Sequence, residues 1–266
     1  MSSHTKRLLT AALLLPVALL IIRQGAWVLD CGLALVAVLG LHEFLRLFSA
    51  TDTNQCLSRV LLAGSALSFL LPLSWGLAGL FYLLLLLFWA LALYFLACYS
   101  RSSHDTNLVL FFVPLVGFLY IPCTLHLFRG LTALEIYIFL ACVFASDAGA
   151  YYSGRLWGDR KIWPGISPKK TWAGSFGGCA LCLVVALSVG YFWGQAPMWS
   201  FILLGVAVNI SSQLGDFFES GLKRWAGVKD SGQLLPGHGG LLDRLDSLLL
   251  ALPMYVALNL YFHFFG

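Results

Sequence analysis

The stretch WAGSFGGCALCLVVALSVGYFWGQAPMWSFILLGVAVNISSQLGDFFE, residues 172–219, decides the fold class. It carries no Asp, Glu, Lys or Arg before Asp216. A transmembrane α-helix needs about 20 consecutive apolar residues, so the stretch is long enough for two of them. We therefore predict two membrane-spanning helices, over residues 172–194 and 197–219.

The rest of the chain has the same character. Of its 266 residues, 60% are hydrophobic and 11% are charged, whereas soluble domains average about 25% charged residues. We predict an all-α, polytopic membrane bundle of about nine transmembrane helices. The predicted spans are residues 8–22, 26–46, 58–75, 77–99, 108–128, 132–153, 172–194, 197–219 and 241–263.

The basic residues predict the orientation. With nine spans and a cytoplasmic N-terminus, 14 of the 16 Lys and Arg residues fall on the cytoplasmic side. The positive-inside rule favours this arrangement. We expect a multi-pass protein of the cytoplasmic (inner) membrane whose N-terminus and long polar loops are cytoplasmic. The net charge of +4 is modest, so no nucleic-acid partner is expected.

Charge also divides the chain into two regions. Residues 1–130 are leucine-rich helices without evident chemistry, and an interfacial ion pair with Arg46 explains Glu43. Residues 131–266 form the predicted catalytic region with its cytoplasmic loops. There Asp147 lies within the sixth apolar span, followed by small residues that permit close helix approach.

A first polar segment precedes the span at 172–194. Ser167 and Pro168 signal a helix start, and Lys169, Lys170 and Thr171 follow in the first turn. Cations, a hydroxyl and free N–H groups at a helix N-terminus suit phosphate binding. The alternative is a positive-inside anchor, which explains the lysines but not the Ser-Pro turn.

A second polar segment, residues 216–247, holds five acidic and four basic residues. Asp216 and Glu219 share a helix face at i,i+3 spacing, and Asp243 and Asp246 repeat that spacing at the predicted start of the last span. Paired carboxylates at two helix ends would repel without a cation. Mg²⁺ typically binds one or two carboxylates together with substrate phosphates. The alternative is separate Asp–Arg pairs with the neighbouring bases, Arg224 and Arg244.

Glycines lie between these carboxylates, at positions 232, 237, 239 and 240. Residues without side chains let backbone N–H groups approach an anion closely. His238 is a phosphate ligand, a proton-transfer group or a structural cap, and its spacing does not separate these roles.

SGLKRWAGVKDSGQLLPGHGGLLDRLDS, residues 220–247, resembles the signature of the phosphatidate cytidylyltransferases, the CDP-diacylglycerol synthases. SPKKTWAG (167–174) and DAGAYYSGRLWG (147–158) are similar to that family as well. The matching signature positions are Ser220, Lys223, Arg224, Lys229, Asp230, Pro236, His238, Gly239, Gly240, Asp243, Arg244 and Asp246. The detailed likeness covers residues 147–247.

The resemblance implies a Mg²⁺-dependent enzyme that joins CTP and phosphatidic acid from the lipid bilayer into CDP-diacylglycerol and pyrophosphate. It implies metal binding by Asp216, Asp243 and Asp246, with Lys223 and His238 completing the catalytic group. The implied substrate-binding residues are Ser167, Lys169, Lys170, Thr171, Ser220, Arg224, Lys229, Asp230, Gly239, Gly240 and Arg244. The oligomeric state is open, with a homodimer as one expectation.

One departure from the family pattern keeps a second class of function in view. The family usually has Glu where this chain has Ala173, and a catalytically silent scaffold would be compatible with that change. A phosphate- or cation-coupled transporter would also place charges within spans. Transporters more usually contain repeated halves, and no internal repeat is visible here.

Overall fold

The computed structural model describes residues 3–48, 55–70, 109–234 and 239–265, together with positions 79, 84, 85, 87–94 and 96. Within these residues the regular secondary structure is helical. The β-structure described there is one isolated antiparallel bridge between Lys161 and Thr171. The predicted all-α class is confirmed.

The first half of the chain begins with three helices. They are α1 (Ser3–Gln24), α2 (Ala26–Phe48) and α3 (Gln55–Ser68). Helix α4 (Val109–Phe118) continues through a π-helical turn (Leu119–Cys123), a short α-helical turn (Thr124–His126) and a 3-10 turn (Leu127–Gly130). Pro122 lies inside the π-helical turn. It lacks the N–H that a regular α-helix would use there, consistent with the irregular hydrogen bonding.

The second half contains four further α-helices. They are α5 (Ala133–Trp157), α6 (Trp172–Trp193), α7 (Met198–Trp225) and α8 (Asp246–Phe262), with a 3-10 turn (Leu242–Arg244) before α8. Side chains define two of the starts. Thr132 and Glu135 form a capping box at α5, and Thr171 accepts a hydrogen bond from the Gly174 N–H at α6. Such caps satisfy N–H groups that have no partner inside the helix.

Among the described residues, five helices are long and apolar enough to cross a membrane. They are Trp27–Phe48, Phe112–Gly130, Ala133–Trp157, Trp172–Trp193 and Met198–Trp225, and Asp246–Phe262 is a shorter apolar helix. Each overlaps a span predicted from the sequence. About half of the predicted span 77–99 lies outside the described residues. The chain is a multi-pass membrane protein.

The chain groups into two compact units. Unit 1 combines Met1–Arg129 with the segment Ser231–Leu242, and unit 2 combines Gly130–Asp230 with Asp243–Gly266. The predicted division at residue 130, into N-terminal helices and a catalytic region, remains a prediction, because this grouping does not test where an activity lies.

Small residues let α5 and α6 pack closely in unit 2. A Cβ atom on Gly149 would lie 2.5 Å from the carbonyl oxygen of Gly177, so no larger side chain fits there. Helix α7 packs on both α6 and α8. This packing places the polar end of α5 beside the start of α6 and the second half of α7.

Candidate functional site

A cavity of about 350 Å³ lies where α5, α6 and α7 meet in unit 2. Besides apolar and small residues, it is lined by charged and amide side chains from α5, from α7 and from the segment before α6. These are Asp147, Arg155, Lys169, Lys170, Gln213 and Asp216. A cavity with three cationic and two anionic groups at the ends of apolar helices suits a phosphate-bearing ligand.

Lys170 is held from two sides. Its Nζ forms an ion pair with Oδ2 of Asp216 and lies 4.7 Å from the centre of the Phe217 ring. The Trp163 ring packs edge-on against the Phe217 ring, with ring centres 4.8 Å apart. Since the Lys170 and Asp216 side chains remain 26% and 19% exposed, the ammonium group is fixed but still accessible from the cavity.

Asp147 is a carboxylate that the sequence predictions did not include among the site residues. It lines the cavity from α5 and lies near the charges of Asp216 and Lys170. The Ser247 hydroxyl donates a hydrogen bond of 3.4 Å to its Oδ2. The available signal was its position inside an apolar span, because intramembrane acids are rare and usually functional.

Gln213 is a second residue that the sequence predictions missed. Its Nε2 donates to Oδ1 of Asn209 at 2.8 Å, and that oxygen also accepts from the Ser146 hydroxyl at 2.8 Å. Asn209 is 3% exposed and Ser146 is fully buried. This network orients the Gln213 amide, which lines the cavity. Its signal was the i,i+4 spacing of two amides in an apolar helix.

A second charged cluster surrounds Lys223. Its Nζ donates to Oε1 of Glu219 at 2.9 Å and to Oδ1 of Asp243 at 2.6 Å. Glu219 is fully buried, and its Oε2 has no hydrogen-bond partner in the described part of the chain. Glu219 and Asp243 are therefore paired with Lys223. The alternative from the sequence was that the acids pair with arginines. The Nη1 of Arg224 instead donates to the Val228 carbonyl oxygen at 3.1 Å.

Asp246 is near both groups of charges. Its carboxylate faces the charges of Asp216, Glu219 and Lys223, and its Oδ1 accepts from the Ser247 N–H at 2.9 Å. The prediction that Asp243 and Asp246 lie together at the start of one α-helix is wrong. Asp243 belongs to the 3-10 turn, and α8 begins only at Asp246, so the i,i+3 rule for a continuous α-helix does not apply.

The carboxylates can be compared with the needs of a divalent cation. Within the described ranges, no group of three or more His, Cys, Asp or Glu side chains converges in metal-binding geometry. The donor chemistry nevertheless fits a hard cation, because Mg²⁺ takes carboxylate oxygens and completes its shell with water and phosphate. Five carboxylates face two paired lysines, and Oε2 of the buried Glu219 has no hydrogen-bond partner among the described residues. The five are Asp147, Asp216, Glu219, Asp243 and Asp246.

The residues predicted for the phosphate site before α6 are brought together in part. Lys169, Lys170 and Thr171 line the cavity. The Thr171 side chain is 3% exposed, and its hydroxyl accepts the capping hydrogen bond from Gly174 at 3.1 Å. Ser167 is half-buried and shapes the turn, since its N–H donates to the Trp163 carbonyl oxygen at 2.9 Å.

The other predicted substrate-binding residues are not part of the cavity lining. Ser220 is half-buried, and four are exposed: Arg224, Lys229, Asp230 and Arg244. Gly239 and Gly240 belong to unit 1, where Gly239 has a positive φ of 86°. His238 lies outside the described residues.

Glu43, in α2, contacts the segment Ser231–Leu242 of its own unit. It is 4% exposed, and its Oε2 accepts from the Leu242 N–H at 2.9 Å and from the Ser231 hydroxyl at 3.2 Å. Among the described ion pairs there is none between Glu43 and Arg46, so that prediction is wrong. Arg46 is exposed, whereas Glu43 points into the unit.

Comparison with known proteins agrees with the resemblance seen at residues 220–247. The chain is 40% identical over 195 residues to the phosphatidate cytidylyltransferase of Haemophilus influenzae, covering 66% of each chain. It is 45% identical over 140 residues to that of Staphylococcus haemolyticus, covering 52% of each. With that of Staphylococcus aureus it shares 50% identity over 122 residues, 45% of this chain and 46% of the relative.

The matches therefore span from about half to about two-thirds of the length of these relatives. The family model covers more of the chain. The model of the cytidylyltransferase family matches residues 5–262, nearly the whole sequence. The chain belongs to the cytidylyltransferase family.

Proposed function

We propose that this protein transfers the cytidylyl group of CTP to phosphatidic acid, giving CDP-diacylglycerol and pyrophosphate. The cavity at the ends of α5, α6 and α7 carries the proposal, because it holds one fixed lysine, further basic side chains and carboxylates beside apolar helices. A lipid substrate keeps its acyl chains in the bilayer, while CTP arrives from water. The family of the chain and the names of the similar proteins support the same reaction.

The proposed reaction needs positioning and charge neutralisation more than a strong base. A phosphate oxygen of phosphatidic acid forms a bond to the α-phosphorus of CTP. The bond from that phosphorus to the oxygen bridging to the β-phosphorus breaks, and pyrophosphate leaves with the electron pair. The second pKa of a phosphomonoester lies near 6, so the attacking phosphate is largely ionised at neutral pH.

The basic residues of the cavity supply the positive charge that this reaction needs. Lys169, Lys170 and Arg155 line one space and would contact the triphosphate and the lipid phosphate. Asp216 and Phe217 already orient the Lys170 ammonium group, so little reorganisation is required when charge develops on the leaving pyrophosphate. Such preorganisation is a large contribution to many enzymatic rates.

We propose that Asp216, Asp243 and Asp246 hold Mg²⁺ when substrates are bound, as the carboxylate chemistry permits. The ion would neutralise phosphate charge and polarise phosphoryl oxygens. Lys223 pairs with both Glu219 and Asp243 and would keep those two carboxylates in place. The proposal predicts that chelation abolishes activity and that added Mg²⁺ restores it.

The finer localisation is also a proposal. We propose that the protein lies in the cytoplasmic (inner) membrane with its N-terminus and polar loops on the cytoplasmic side, supported by the 14-to-2 distribution of basic residues. A homodimer is the oligomeric state to test, by native mass measurement of the purified protein in lipid.

Purified protein in mixed micelles should release pyrophosphate only when phosphatidic acid, CTP and Mg²⁺ are all present. Replacing CTP by ATP, GTP or UTP, or phosphatidic acid by diacylglycerol, should abolish the reaction. Lys170→Met should lose most activity, whereas Lys161→Met, which removes an exposed lysine outside the cavity lining, should not. Pyrophosphate release without phosphatidic acid, or equal loss in both variants, would contradict the proposal.

A further inference from the structure

The cavity of unit 2 is open along one face of α5. Two of its lining residues, Tyr151 and Arg155, lie one helical turn apart on this helix. Both are exposed, and the exposed fraction of Tyr151 is 60%. Residues that line a cavity and are also exposed mark its opening. Because α5 is long and apolar enough to cross a membrane, this opening faces the bilayer as well as the water at the helix end.

The surface around the opening is apolar and aromatic. Tyr152, Leu156 and Trp157 are exposed on the last turns of α5, and Trp172 and Phe176 are exposed on the first turns of α6. Trp and Tyr are enriched at membrane–water interfaces, where the lipid headgroups lie. The opening is therefore at the depth where a lipid phosphate meets its acyl chains.

Arg155 is the cation at this opening. It lies in the last turn of α5, two residues or about 3 Å from the end of the helix. In the part of the chain that the structure describes, its guanidinium has no ion-pair or hydrogen-bond partner, whereas Lys170 is paired with Asp216. The planar fork of guanidinium N–H groups matches the oxygens of a phosphate. Arg155 is thus available to a phosphate that arrives at the membrane interface.

Close packing fixes the backbone on both sides of Arg155. A Cβ atom on Gly154 would lie 3.0 Å from Oγ1 of Thr171, and one on Gly158 would lie 2.7 Å from the same oxygen. The last turn of α5 is therefore pressed against the buried residue that caps α6. Because this contact exists before a ligand binds, less ordering is required when Arg155 takes up a phosphate.

We propose that Tyr151 and Arg155 form the lipid subsite of the cavity, which phosphatidic acid enters from the bilayer along α5. Arg155 binds the lipid phosphate, and Tyr151 packs against the glycerol backbone and the first acyl carbons. The inference rests on the proposed function. Tyr151 lies four residues, or about 6 Å, further from the helix end, which is the order of the phosphate and the chains attached to it.

The lipid subsite leaves another cation of the cavity for the nucleotide. Lys169 lines the same cavity but lies in the segment before α6, outside the spanning helices, and is exposed. CTP arrives from water, so this lysine is placed for its triphosphate. The two substrates would thus approach from different sides and meet between Arg155 and Lys169.

An interfacial anchor is the alternative role for Arg155. Arginine in the last turn of a helix is favoured by the helix dipole, and basic residues also fix the orientation of a span. An anchor would interact with any anionic lipid and would not distinguish the two substrates. These differences can be measured.

Lipid binding without CTP tests the subsite independently of activity. Purified protein in detergent micelles is titrated with phosphatidic acid while its melting temperature is followed. The wild type should melt at a higher temperature, because a ligand of the folded state stabilises it. The shift should be largely lost in Arg155→Gln and intermediate in Arg155→Lys, which keeps the charge without the fork. Phosphatidylglycerol, an anionic lipid without a phosphomonoester, should produce little shift.

Arg160→Gln is the matched control for these measurements. It removes an arginine that is also exposed and close in sequence, but that does not line the cavity. Its melting shift with phosphatidic acid should equal that of the wild type.

A photoreactive lipid tests the route of entry. Phosphatidic acid with a diazirine near the carbonyl end of one acyl chain should label peptides that contain Tyr151, and unlabelled phosphatidic acid should compete. A phosphatidylcholine with the same diazirine measures contact with bulk lipid. Labelling of Arg155→Gln by the phosphatidic acid probe should fall to that level.

Kinetics separate the two substrates. Arg155→Gln should raise KM for phosphatidic acid by about tenfold or more, the scale expected when hydrogen bonds to a charged group are lost. KM for CTP should stay nearly unchanged. Lys169→Gln should show the opposite division, with the larger rise in KM for CTP.

The inference would be overturned if phosphatidic acid stabilised Arg155→Gln as much as the wild type, or stabilised neither. Equal stabilisation by phosphatidylglycerol, or equal labelling by the two photoreactive lipids, would contradict it by showing general lipid contact. A rise in KM for CTP alone in Arg155→Gln would assign the arginine to the nucleotide instead. If the wild-type protein forms no CDP-diacylglycerol, the proposed function fails, while melting and labelling still test lipid binding.

Discussion

At Asp216, a single substitution can distinguish two roles of the carboxylate, holding Mg²⁺ and orienting Lys170. Asp216→Asn keeps the side-chain size and one acceptor oxygen but removes the charge that faces Lys170, Asp147 and Asp246. If Asp216 helps to hold Mg²⁺, turnover should fall and more Mg²⁺ should be needed for half-maximal activity. If it only orients Lys170, KM for CTP should change while the Mg²⁺ dependence does not.

The size of the effect follows from the surroundings of Asp216. Two unit charges about 4 Å apart interact by roughly 4 kcal/mol at an effective dielectric constant near 20. Removing one preorganised electrostatic group from an active site typically lowers kcat by about 100- to 1,000-fold. Because Asp216 and Lys170 are 19% and 26% exposed, solvent screens part of this interaction. We therefore expect a loss of about 100-fold, at the lower end of that range.

The assay is CDP-diacylglycerol formation by purified protein over a Mg²⁺ titration. Asp159→Asn removes an exposed carboxylate in the loop after α5 and is the matched control, which should behave as the wild type. An Asp216→Asn variant with near-wild-type turnover and an unchanged Mg²⁺ titration would refute both the metal assignment and the electrostatic reasoning.

Three further predictions concern stability, the buried amide network and topology. Lys223→Met should lower thermal stability in detergent much more than Asp243→Asn. It leaves the fully buried Glu219 carboxylate without its ammonium partner, which costs about 3–5 kcal/mol of stability. Equal melting temperatures of the two variants would contradict this. Asn209→Leu should reduce turnover by about fivefold, since it removes the hydrogen bond that orients Gln213, worth about 1 kcal/mol. Ser211→Ala should leave turnover unchanged, because the described hydrogen bonds of that hydroxyl lie within its own helix. In a cysteine-free background, single cysteines are placed at the exposed positions 165 and 229. They should not react with a membrane-impermeant reagent added outside intact cells. Labelling at either position would overturn the proposed cytoplasmic side of these loops.

The helical framework was predictable because length, apolar composition and capping act locally. Span 172–194 corresponds to Trp172–Trp193, and span 26–46 corresponds to Ala26–Phe48. At the first of these, Thr171 caps the helix and the preceding charges exclude an earlier start inside the membrane. The lysines at 169 and 170 could be assigned to a phosphate site for the same local reason.

The arrangement of the site was only partly predictable, because it depends on packing between distant segments. Lys223 reaches Asp243 twenty positions further along the chain, and Glu43 reaches Leu242 across most of the sequence. Periodicity within one helix cannot reveal such pairs. It predicted that Glu43 pairs with a neighbouring arginine, whereas the structure has a buried contact between Glu43 and a loop. It also predicted one helix for Asp243 and Asp246, whereas Asp243 lies in a 3-10 turn.

The position of an isotopic label in the products tests the proposed cytidylyl transfer most directly. Purified protein is given phosphatidic acid, Mg²⁺ and CTP labelled with ³²P at either the α- or the γ-phosphorus. Cytidylyl transfer predicts that the α-label moves into the organic-soluble lipid in step with pyrophosphate release, and that the γ-label stays in the aqueous phase as pyrophosphate. A γ-label found in lipid, or an α-label that remains in water while CTP is consumed, would contradict the account.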